Sequence, residues 1–261
     1  MLDIQGLRVK FLSTGKEAVR GIDLSIAAGE RVGLVGESGS GKTVTAMAVS
    51  GLIERSNVAV SGQVLFEGRD ILTCSRQTLR SVQGKEIGVV FQEPMTSLNP
   101  LMRVGLQIEE TLKIHTDMPP AERKRLALET MEQVGLPDPE GTYRKYPHQL
   151  SGGQRQRAVI ASAMIIHPKL LICDEPTTAL DVTVQAQILA LLKSISTQFG
   201  VGILLISHDL TVVRKLCERV AVMYRGEIVE RGETEEVFRN PHDEYTKRLI
   251  AAIPTRTKRH G

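Results

Sequence analysis

The chain is poor in several residue types whose abundance marks specialised proteins. It has 261 residues, no tryptophan and only 3% aromatic residues, so the sequence does not indicate a surface on which nucleic-acid bases stack. The three cysteines are far apart and form no C-x-x-C pair, which indicates neither a disulfide framework nor a zinc site. We expect reduced thiols, as in proteins of the cytosol.

Long apolar runs and an excess of one charge are also missing. Uncharged apolar stretches such as 43–53 are shorter than the roughly 18 residues that span a bilayer. The first residues show no basic stretch followed by an apolar run, so no signal peptide is predicted. Lys and Arg number 33 against 30 Asp and Glu, a net charge of only +3, whereas a nucleic-acid binder usually carries a clustered basic excess. We therefore expect no nucleic-acid partner, and contact with a membrane only through another protein.

Short apolar runs rich in β-branched residues form the skeleton of the sequence. They are uninterrupted rather than alternating, which is typical of strands covered on both faces. These runs lie at 31–36, 87–91, 170–173 and 202–207. Helical patterns separate them, so the sequence predicts an α/β fold with a mostly parallel sheet. Two further runs with glycine turns, at 63–71 and 220–230, are typical of β-hairpins.

The middle of the chain, over 93–150, changes character and predicts an inserted helical subdomain. Pro119 and Pro120 open a helix there, because proline is tolerated in the first turn, and Gly135 suits its end. Another long helix is predicted at 182–197, and we assign its apolar stripe to packing in the core.

A glycine-rich segment after the first predicted parallel strand fits the pattern G-x-x-x-x-G-K-[ST]. Its glycines let the chain curl so that successive backbone N–H groups point at phosphate oxygens, and the following helix adds its partial positive charge. Lys42 is expected to reach the β- and γ-phosphates, and the Thr43 hydroxyl to ligate Mg²⁺. The predicted phosphate-binding residues are Gly36, Glu37, Ser38, Gly39, Ser40, Gly41, Lys42 and Thr43.

Two adjacent carboxylates, Asp174 and Glu175, follow the apolar run 170–173. The run places them at the carboxyl edge of a sheet, where ligands of α/β proteins bind. Asp174 suits magnesium, directly or through water. Glu175 suits the attacking water, either as general base or as the group that positions it, and the sequence leaves both roles open. A solvated acidic turn is the structural alternative.

A phosphate loop alone is compatible with a GTPase, a kinase or a helicase. The stretch that begins Leu150-Ser151-Gly152-Gly153-Gln154 narrows this choice, because it resembles the signature of ATP-binding-cassette (ABC) proteins. Physically, a serine and two glycines ahead of a helix form a second N-terminus that can bind an anion, and Ser151 can also cap that helix. The resemblance implies the ABC ATPase fold: a P-loop core, an N-terminal antiparallel β subdomain and a helical insertion.

Other positions match the same family pattern. Gln92 matches the Q-loop glutamine, which implies contact with Mg²⁺ or water and a link to the helical subdomain. The segment 179–181 matches the D-loop, with Asp181 at the nucleotide, and His208 matches the switch histidine at the γ-phosphate. Phe11 matches the aromatic residue that stacks on adenine, although a phenylalanine near an N-terminal strand is usually a core residue.

Within the family, the sequence is similar to the peptide/nickel importer ATPases. The similarity lies in the phosphate loop, in 91–100, in Asp-Glu-Pro-Thr-Thr-Ala-Leu-Asp, and in the C-terminal segment 237–250. Many peptide-permease members continue into a cysteine-rich tail linked to an iron–sulfur cluster. No cysteine follows Cys217 here, so we expect no cluster, and the short form favours the nickel or metal-chelate branch over the long dipeptide or oligopeptide forms.

The resemblance implies a single ABC ATPase domain. Its core with the β subdomain covers 1–92 and 151–235, the helical subdomain 93–150, and a family segment with a basic tail 236–261. A second ATPase subunit, identical or paralogous, is expected to face it head-to-tail, with ATP and Mg²⁺ between the two. ATP-driven closure would then power import of peptides or metal chelates.

Further partners follow from the same resemblance. Two integral membrane permease subunits would hold the chain at the cytoplasmic face of the membrane, with 93–106 as the expected contact, and an extracytoplasmic solute-binding protein would act indirectly. The alternatives are a non-transport ABC ATPase that acts on nucleic acid or ribosomes, and an ABC exporter subunit.

Overall fold

A computed structural model describes residues 1–178 and 180–253 of the chain. Its strands, in chain order, are β1 (Leu2–Phe11), β2 (Glu17–Ile26), β3 (Arg31–Val35), β4 (Val58–Phe66), β5 (Arg69–Asp70), β6 (Ile87–Val90), β7 (Leu170–Asp174), β8 (Gly202–Ser207), β9 (Arg219–Tyr224) and β10 (Glu227–Glu233). Its α-helices are α1 (Lys42–Val49), α2 (Arg76–Val82), α3 (Pro94–Ser97), α4 (Val104–Ile108), α5 (Glu110–His115), α6 (Pro120–Gln133), α7 (Pro139–Arg144), α8 (Gly152–Met164), α9 (Val182–Phe199), α10 (Leu210–Leu216), α11 (Thr234–Arg239) and α12 (Glu244–Ala251).

The strands form two sheets of different character. The first is antiparallel, with the order β2-β1-β4-β5. The second has the order β10-β9-β3-β8-β7-β6, and it is parallel except for the β9–β10 hairpin. The predicted α/β class, the mostly parallel sheet and the antiparallel N-terminal subdomain are confirmed, and both predicted hairpins are present.

Alternating side chains of the parallel strands enter two different cores. In β7, Leu170 and Ile172 pack with the antiparallel sheet and α1, whereas Leu171 and Cys173 pack with α8, α9 and α10. All four side chains are fully buried, which explains why this strand is apolar throughout rather than alternating.

The segment from Pro94 to Gln149 is helical wherever it has regular structure. Helix α6 starts at Pro120 and is followed by Gly135 in the left-handed region at φ +70°, as the proline and glycine signals predict. Helix α9 extends the predicted 182–197 by two residues. Within residues 1–178 and 180–253, no helix combines the length and the apolar character that crossing a bilayer requires.

Ala179 of the predicted D-loop and residues 254–261 of the predicted tail lie outside the described residues.

Candidate functional site

Four parallel strands end at one edge of the second sheet and bring the predicted motifs together. Strand β3 ends at Val35 beside Ser207 of β8, and β7 ends at Asp174 beside Ile206 of the same strand. Strand β6 ends at Val90 beside Cys173 of β7. The phosphate loop, the paired carboxylates, His208 and Gln92 all follow these strand ends. This is the carboxyl edge at which α/β sheets bind ligands.

The phosphate loop needs glycine at its two ends. Gly36 has φ +155°, and a Cβ there would lie 2.1 Å from the carbonyl oxygen of Met223. Gly41, the residue before α1, has φ +112°, and its Cβ would lie 2.3 Å from the carbonyl oxygen of Ala18. The loop is therefore wedged between β9 and β2, and a side chain at either glycine would push it out of place.

Lys42 begins α1 and is buried, with 5% of its surface exposed. Its Nζ donates hydrogen bonds to the carbonyl oxygens of Gly36 (2.7 Å) and Glu37 (2.8 Å). Burial lowers the pKa of Lys42, and the carboxylates of Glu175, Asp174 and Glu37 oppose that shift. The site therefore holds a buried cation at the start of a helix, which is an arrangement that attracts phosphate.

Asp174 is buried, and its surroundings leave one oxygen free for another ligand. Burial raises its pKa and the neighbouring Glu175 adds to this effect, whereas a hydrogen bond from the Thr43 hydroxyl and the charge of Lys42 lower it. Within the described part of the chain, neither Oδ1 of Asp174 nor Oγ of Ser40 has a hydrogen-bond partner. A buried carboxylate oxygen without a partner is costly unless a cation or an ordered water meets it.

Glu175 is the centre of a hydrogen-bonded cluster. Its Oε2 accepts from Nε2 of Gln92 (3.0 Å) and from Oγ1 of Thr178 (2.9 Å), and its Oε1 lies 2.9 Å from Nδ1 of His208. Because an ionised carboxylate only accepts, Nδ1 of His208 carries the proton. The backbone of Glu175 has φ +49°, which is unusual for a residue with a side chain. Such strain persists only where the surroundings fix the residue, and it is frequent at functional sites.

Most of these residues line one open cleft of about 670 Å³, whereas Gly36, Ser40 and Asp174 are not on its wall. Thr178 and Leu249 also line it. The predicted site residues on its wall are Phe11, Glu37, Ser38, Gly39, Gly41, Lys42, Thr43, Gln92, Glu175 and His208.

The structure does not bring the signature residues to this cleft. Ser151 caps α8: its Oγ accepts from the backbone N–H of Gln154, whose side chain accepts from the N–H of Ser151 in return. Gly152 and Gly153, the first residues of α8, are likewise absent from the wall of the cleft. Asp181 caps α9 and accepts from the N–H groups of Thr183 and Val184, at 3.0 Å each. The capping alternative is therefore present at Ser151.

Sequence reasoning missed three side chains of this region. Thr178 stands in the acidic motif, and its distance of three residues from Glu175 was the available signal. Leu249 and Tyr245 belong to α12, far along the chain, and the phenol oxygen of Tyr245 accepts from the N–H of Glu37 (2.8 Å). In the sequence, this C-terminal segment stands out only by its resemblance to the importer ATPases, because no local pattern shows that it folds back onto the phosphate loop.

Comparison with known proteins decides the family. The model of the ABC transporter family matches residues 19–178, which include the phosphate loop and both carboxylates. The chain belongs to the ABC transporter family. The predicted family and its fold are thereby confirmed, and this ABC ATPase binds nucleotide and hydrolyses ATP.

Three curated relatives match almost the whole of this ABC ATPase. The oligopeptide transport ATP-binding protein OppD of Bacillus subtilis is 48% identical over 98% of the chain and 72% of the relative. The dipeptide transport ATP-binding protein DppD of Haemophilus influenzae is 46% identical over 97% of the chain and 78% of the relative. The peptidoglycan transport ATP-binding protein YejF of Agrobacterium fabrum is 50% identical, and the chain spans only 47% of its length.

Solved ABC cassettes share the fold. The dimeric post-hydrolysis state of the cassette MJ0796 bound to ADP and Pi has a TM-score of 0.80 and 28% identity, over 90% of this chain and 99% of that one. The protein cbiO1 of Clostridium perfringens, part of the transporter complex cbiONQ, has a TM-score of 0.78 and 28% identity, over 97% and 95% of the two chains.

Proposed function

We propose that this chain is the ATP-hydrolysing subunit of a membrane importer of peptides. The observation that carries the proposal is one cleft that combines the phosphate loop with the Gln92–Glu175–His208 cluster, in a chain whose quoted relatives are named for oligopeptide, dipeptide and peptidoglycan transport. Permease subunits hold it at the cytoplasmic face of the membrane, and a solute-binding protein outside delivers the peptide. None of the three names mentions nickel.

The residues around Asp174 fit Mg²⁺. Its unpartnered buried Oδ1 and the nearby Thr43 hydroxyl are the oxygen donors that this hard cation prefers. We propose that both residues hold Mg²⁺, with Gln92 as a third ligand. When bound, Mg²⁺ neutralises charge on the β- and γ-phosphates. The absence of an iron–sulfur cluster stays a prediction.

Lys42 and the loop bind the triphosphate. The ammonium group that now bonds two loop carbonyls exchanges them for phosphate oxygens, because charge-assisted hydrogen bonds are stronger than those to neutral carbonyls. Amide groups of the loop and the start of α1 supply further donors. Phe11, on the wall of the same cleft, packs against the adenine ring.

Glu175 acts on the attacking water. Three donors converge on its carboxylate, so its orientation is fixed before ATP arrives. His208 is half exposed at the strand end and lines the cleft, and we assign its other ring nitrogen to the γ-phosphate. Gln92 donates a hydrogen bond to the same carboxylate and so connects it to the helical segment that follows.

The signature residues act on a second molecule of ATP. Ser151, Gly152, Gly153 and Gln154 lie at a helix start away from this cleft, so they serve a nucleotide held by a facing ATPase subunit. Asp181 lies at the start of α9 and is assigned to the same contact between subunits. ATP thus joins two subunits, and its hydrolysis releases them.

A groove between β6, α8 and the helical segment suits the permease. It encloses about 330 Å³, and its wall includes Leu52, Phe91, Leu98 and Ile114. Three apolar side chains on this wall are exposed: Leu52 at 45%, Phe91 at 42% and Ile114 at 69%. An isolated chain would leave this apolar group in contact with water. Part of the predicted contact segment 93–106 borders the groove. We assign this contact with the permease to the helical subdomain 93–150.

The test combines turnover, binding and assembly of the purified full chain. Glu175→Gln should retain ATP affinity within about two-fold and lose nearly all phosphate release, because it keeps the shape of the side chain without its charge. The exposed Glu129→Gln serves as the matched control and should leave both unchanged. Normal phosphate release by Glu175→Gln would remove that residue from the chemistry.

Two further measurements separate the proposal from its alternatives. Co-purification with permease subunits and phosphate release stimulated by peptide support an importer. Binding to ribosomes or nucleic acid in place of a permease would favour the non-transport ABC ATPase, and stimulation only by a substrate on the inner side would favour an exporter.

A further inference from the structure

The C-terminal helix α12 reaches the phosphate loop through one buried side chain. Tyr245 is 5% exposed, and its phenol oxygen accepts a hydrogen bond of 2.8 Å from the backbone N–H of Glu37. The two residues are 208 positions apart in sequence, so tertiary packing alone creates the contact.

Tyr245 and Lys42 hold the two ends of one peptide group. The carbonyl of Gly36 and the N–H of Glu37 belong to the same peptide unit. Lys42 donates to its oxygen at 2.7 Å, while Tyr245 accepts from its nitrogen at 2.8 Å. Gly36 must be a glycine in this backbone conformation, and a glycine gives little intrinsic resistance to rotation of the adjoining peptide plane. The orientation of this peptide is therefore set by its two partners.

The position of Tyr245 is itself fixed by several contacts. Its ring stacks on Tyr224 at the end of β9, with ring centroids 4.1 Å apart. Asp243 caps α12 by accepting from the N–H of Tyr245 (2.8 Å). The Glu230 carboxylate in turn accepts from the N–H groups of His242 (2.8 Å) and Asp243 (3.1 Å), which ties the preceding turn to β10.

We propose that Tyr245 is a positioning residue for the phosphate loop, and that α12 is part of the nucleotide site. The inference rests on the proposed role of residues 36–43 in holding the phosphates of ATP. Once Lys42 turns to the phosphates, the Gly36 carbonyl loses this hydrogen-bond donor, and among the described side chains Tyr245 still holds the peptide plane in place. Leu249, one turn further along the same helix, lines the cleft and brings α12 to its wall.

The test compares two tyrosines that stack on each other. Tyr245→Phe removes the acceptor and keeps the ring. We expect KM for ATP and Kd for ADP to rise about three- to ten-fold, while kcat at saturating ATP stays within two-fold, because one neutral hydrogen bond to the loop is lost. Tyr224→Phe is the matched control and should change neither, since its hydroxyl makes no hydrogen bond within the described residues.

Three results would overturn the inference. One is an unchanged KM and ADP Kd in Tyr245→Phe. Another is a fall in kcat and in thermal midpoint with no change in KM, which is the signature of a merely structural side chain. The third comes from the unsubstituted protein: the Glu37 amide hydrogen should exchange slowly with solvent, and exchange at the rate of an open chain would contradict the hydrogen bond.

Lys42→Ala separates this inference from the proposed function. Loss of ATP binding in Lys42→Ala, together with normal binding in Tyr245→Phe, would overturn only the role of Tyr245. Normal ATP binding in Lys42→Ala would overturn the phosphate loop itself, and with it both proposals.

Discussion

At the scale of single residues, the cleft is organised by Glu175, whose backbone is strained. Glu175 keeps a backbone φ of +49°, a conformation that costs on the order of 1–3 kcal/mol. Its N–H donates to the carbonyl of Ile206 (2.9 Å), and its side chain is met by donors from three separate segments. The strain is sustained because those contacts leave the residue no alternative orientation.

Thr178→Val should impair the orientation of Glu175 while sparing nucleotide binding. Valine keeps the shape of threonine and removes the donor at 2.9 Å from Oε2. Hydrogen bonds to charged groups contribute about 1.5–3 kcal/mol, so we expect kcat to fall about ten-fold with KM for ATP within two-fold. Phosphate release at a series of ATP concentrations checks this, and Thr178→Ser should restore the rate. A raised KM with unchanged kcat would contradict it.

Lys42→Ala should weaken ATP binding itself. The buried ammonium group places a positive charge at the phosphate loop, and losing charge-assisted bonds to phosphate should reduce affinity at least about 100-fold. Equilibrium binding of a fluorescent ATP analogue measures the effect. Lys193→Ala, at an exposed position on α9, is the control and should bind normally.

At the scale of elements, the site depends on how a loop is clamped between strands. The phosphate loop leaves β3 and enters α1, and its two end glycines touch carbonyl oxygens of β9 and β2. The clamp is made of backbone groups that cannot move away, so the loop keeps its curl through packing as well as through its own glycines.

Gly36→Ala should destabilise the protein more than Gly39→Ala. A Cβ at Gly36 would lie 2.1 Å from the Met223 carbonyl oxygen, whereas a Cβ at Gly39 meets nothing within 4 Å. Overpacking costs about 1–3 kcal/mol and adds to the backbone penalty, while Gly39→Ala carries only the left-handed penalty of about 1 kcal/mol. Urea unfolding of both variants tests the order, and equal losses would contradict the clamp.

The sequence predicts elements whose signal is local. Glycine spacing identified the phosphate loop, and the uninterrupted apolar run of β7 predicted a buried parallel strand ending at Asp174. It did not reveal that Tyr245 meets Glu37, because that contact depends on how β10, its turn and α12 fold back. Nor did it show Thr178 bonding Glu175, since a threonine three residues away has many possible partners.

At the scale of the whole molecule, three features stay apart within the chain. The cleft is lined by the phosphate loop and the cluster around Glu175, Ser151 caps a helix away from the wall of that cleft, and the apolar groove has a different lining. Under the proposed function, one partner completes the nucleotide site and another covers the groove.

Ile114→Glu should uncouple the subunit from the proposed permease without harming the cleft. The side chain is 69% exposed and lines the groove, so a charge there opposes an apolar partner and disturbs little of the core. We expect peptide-stimulated phosphate release in the reconstituted transporter to fall at least ten-fold, while the isolated chain binds ATP normally. Thr197→Glu, exposed on α9, is the charge control. Full stimulation in Ile114→Glu would contradict the docking face.

The helical segment leaves the core just after Gln92 and rejoins it just before Ser151. The segment is therefore joined to the sheet at two points. Under the proposed function, Gln92 at one junction and Ser151 at the other serve different ATP molecules. A partner that tilts the segment would then move both residues together, and the coupling of transport to hydrolysis would need no relay through the sheet.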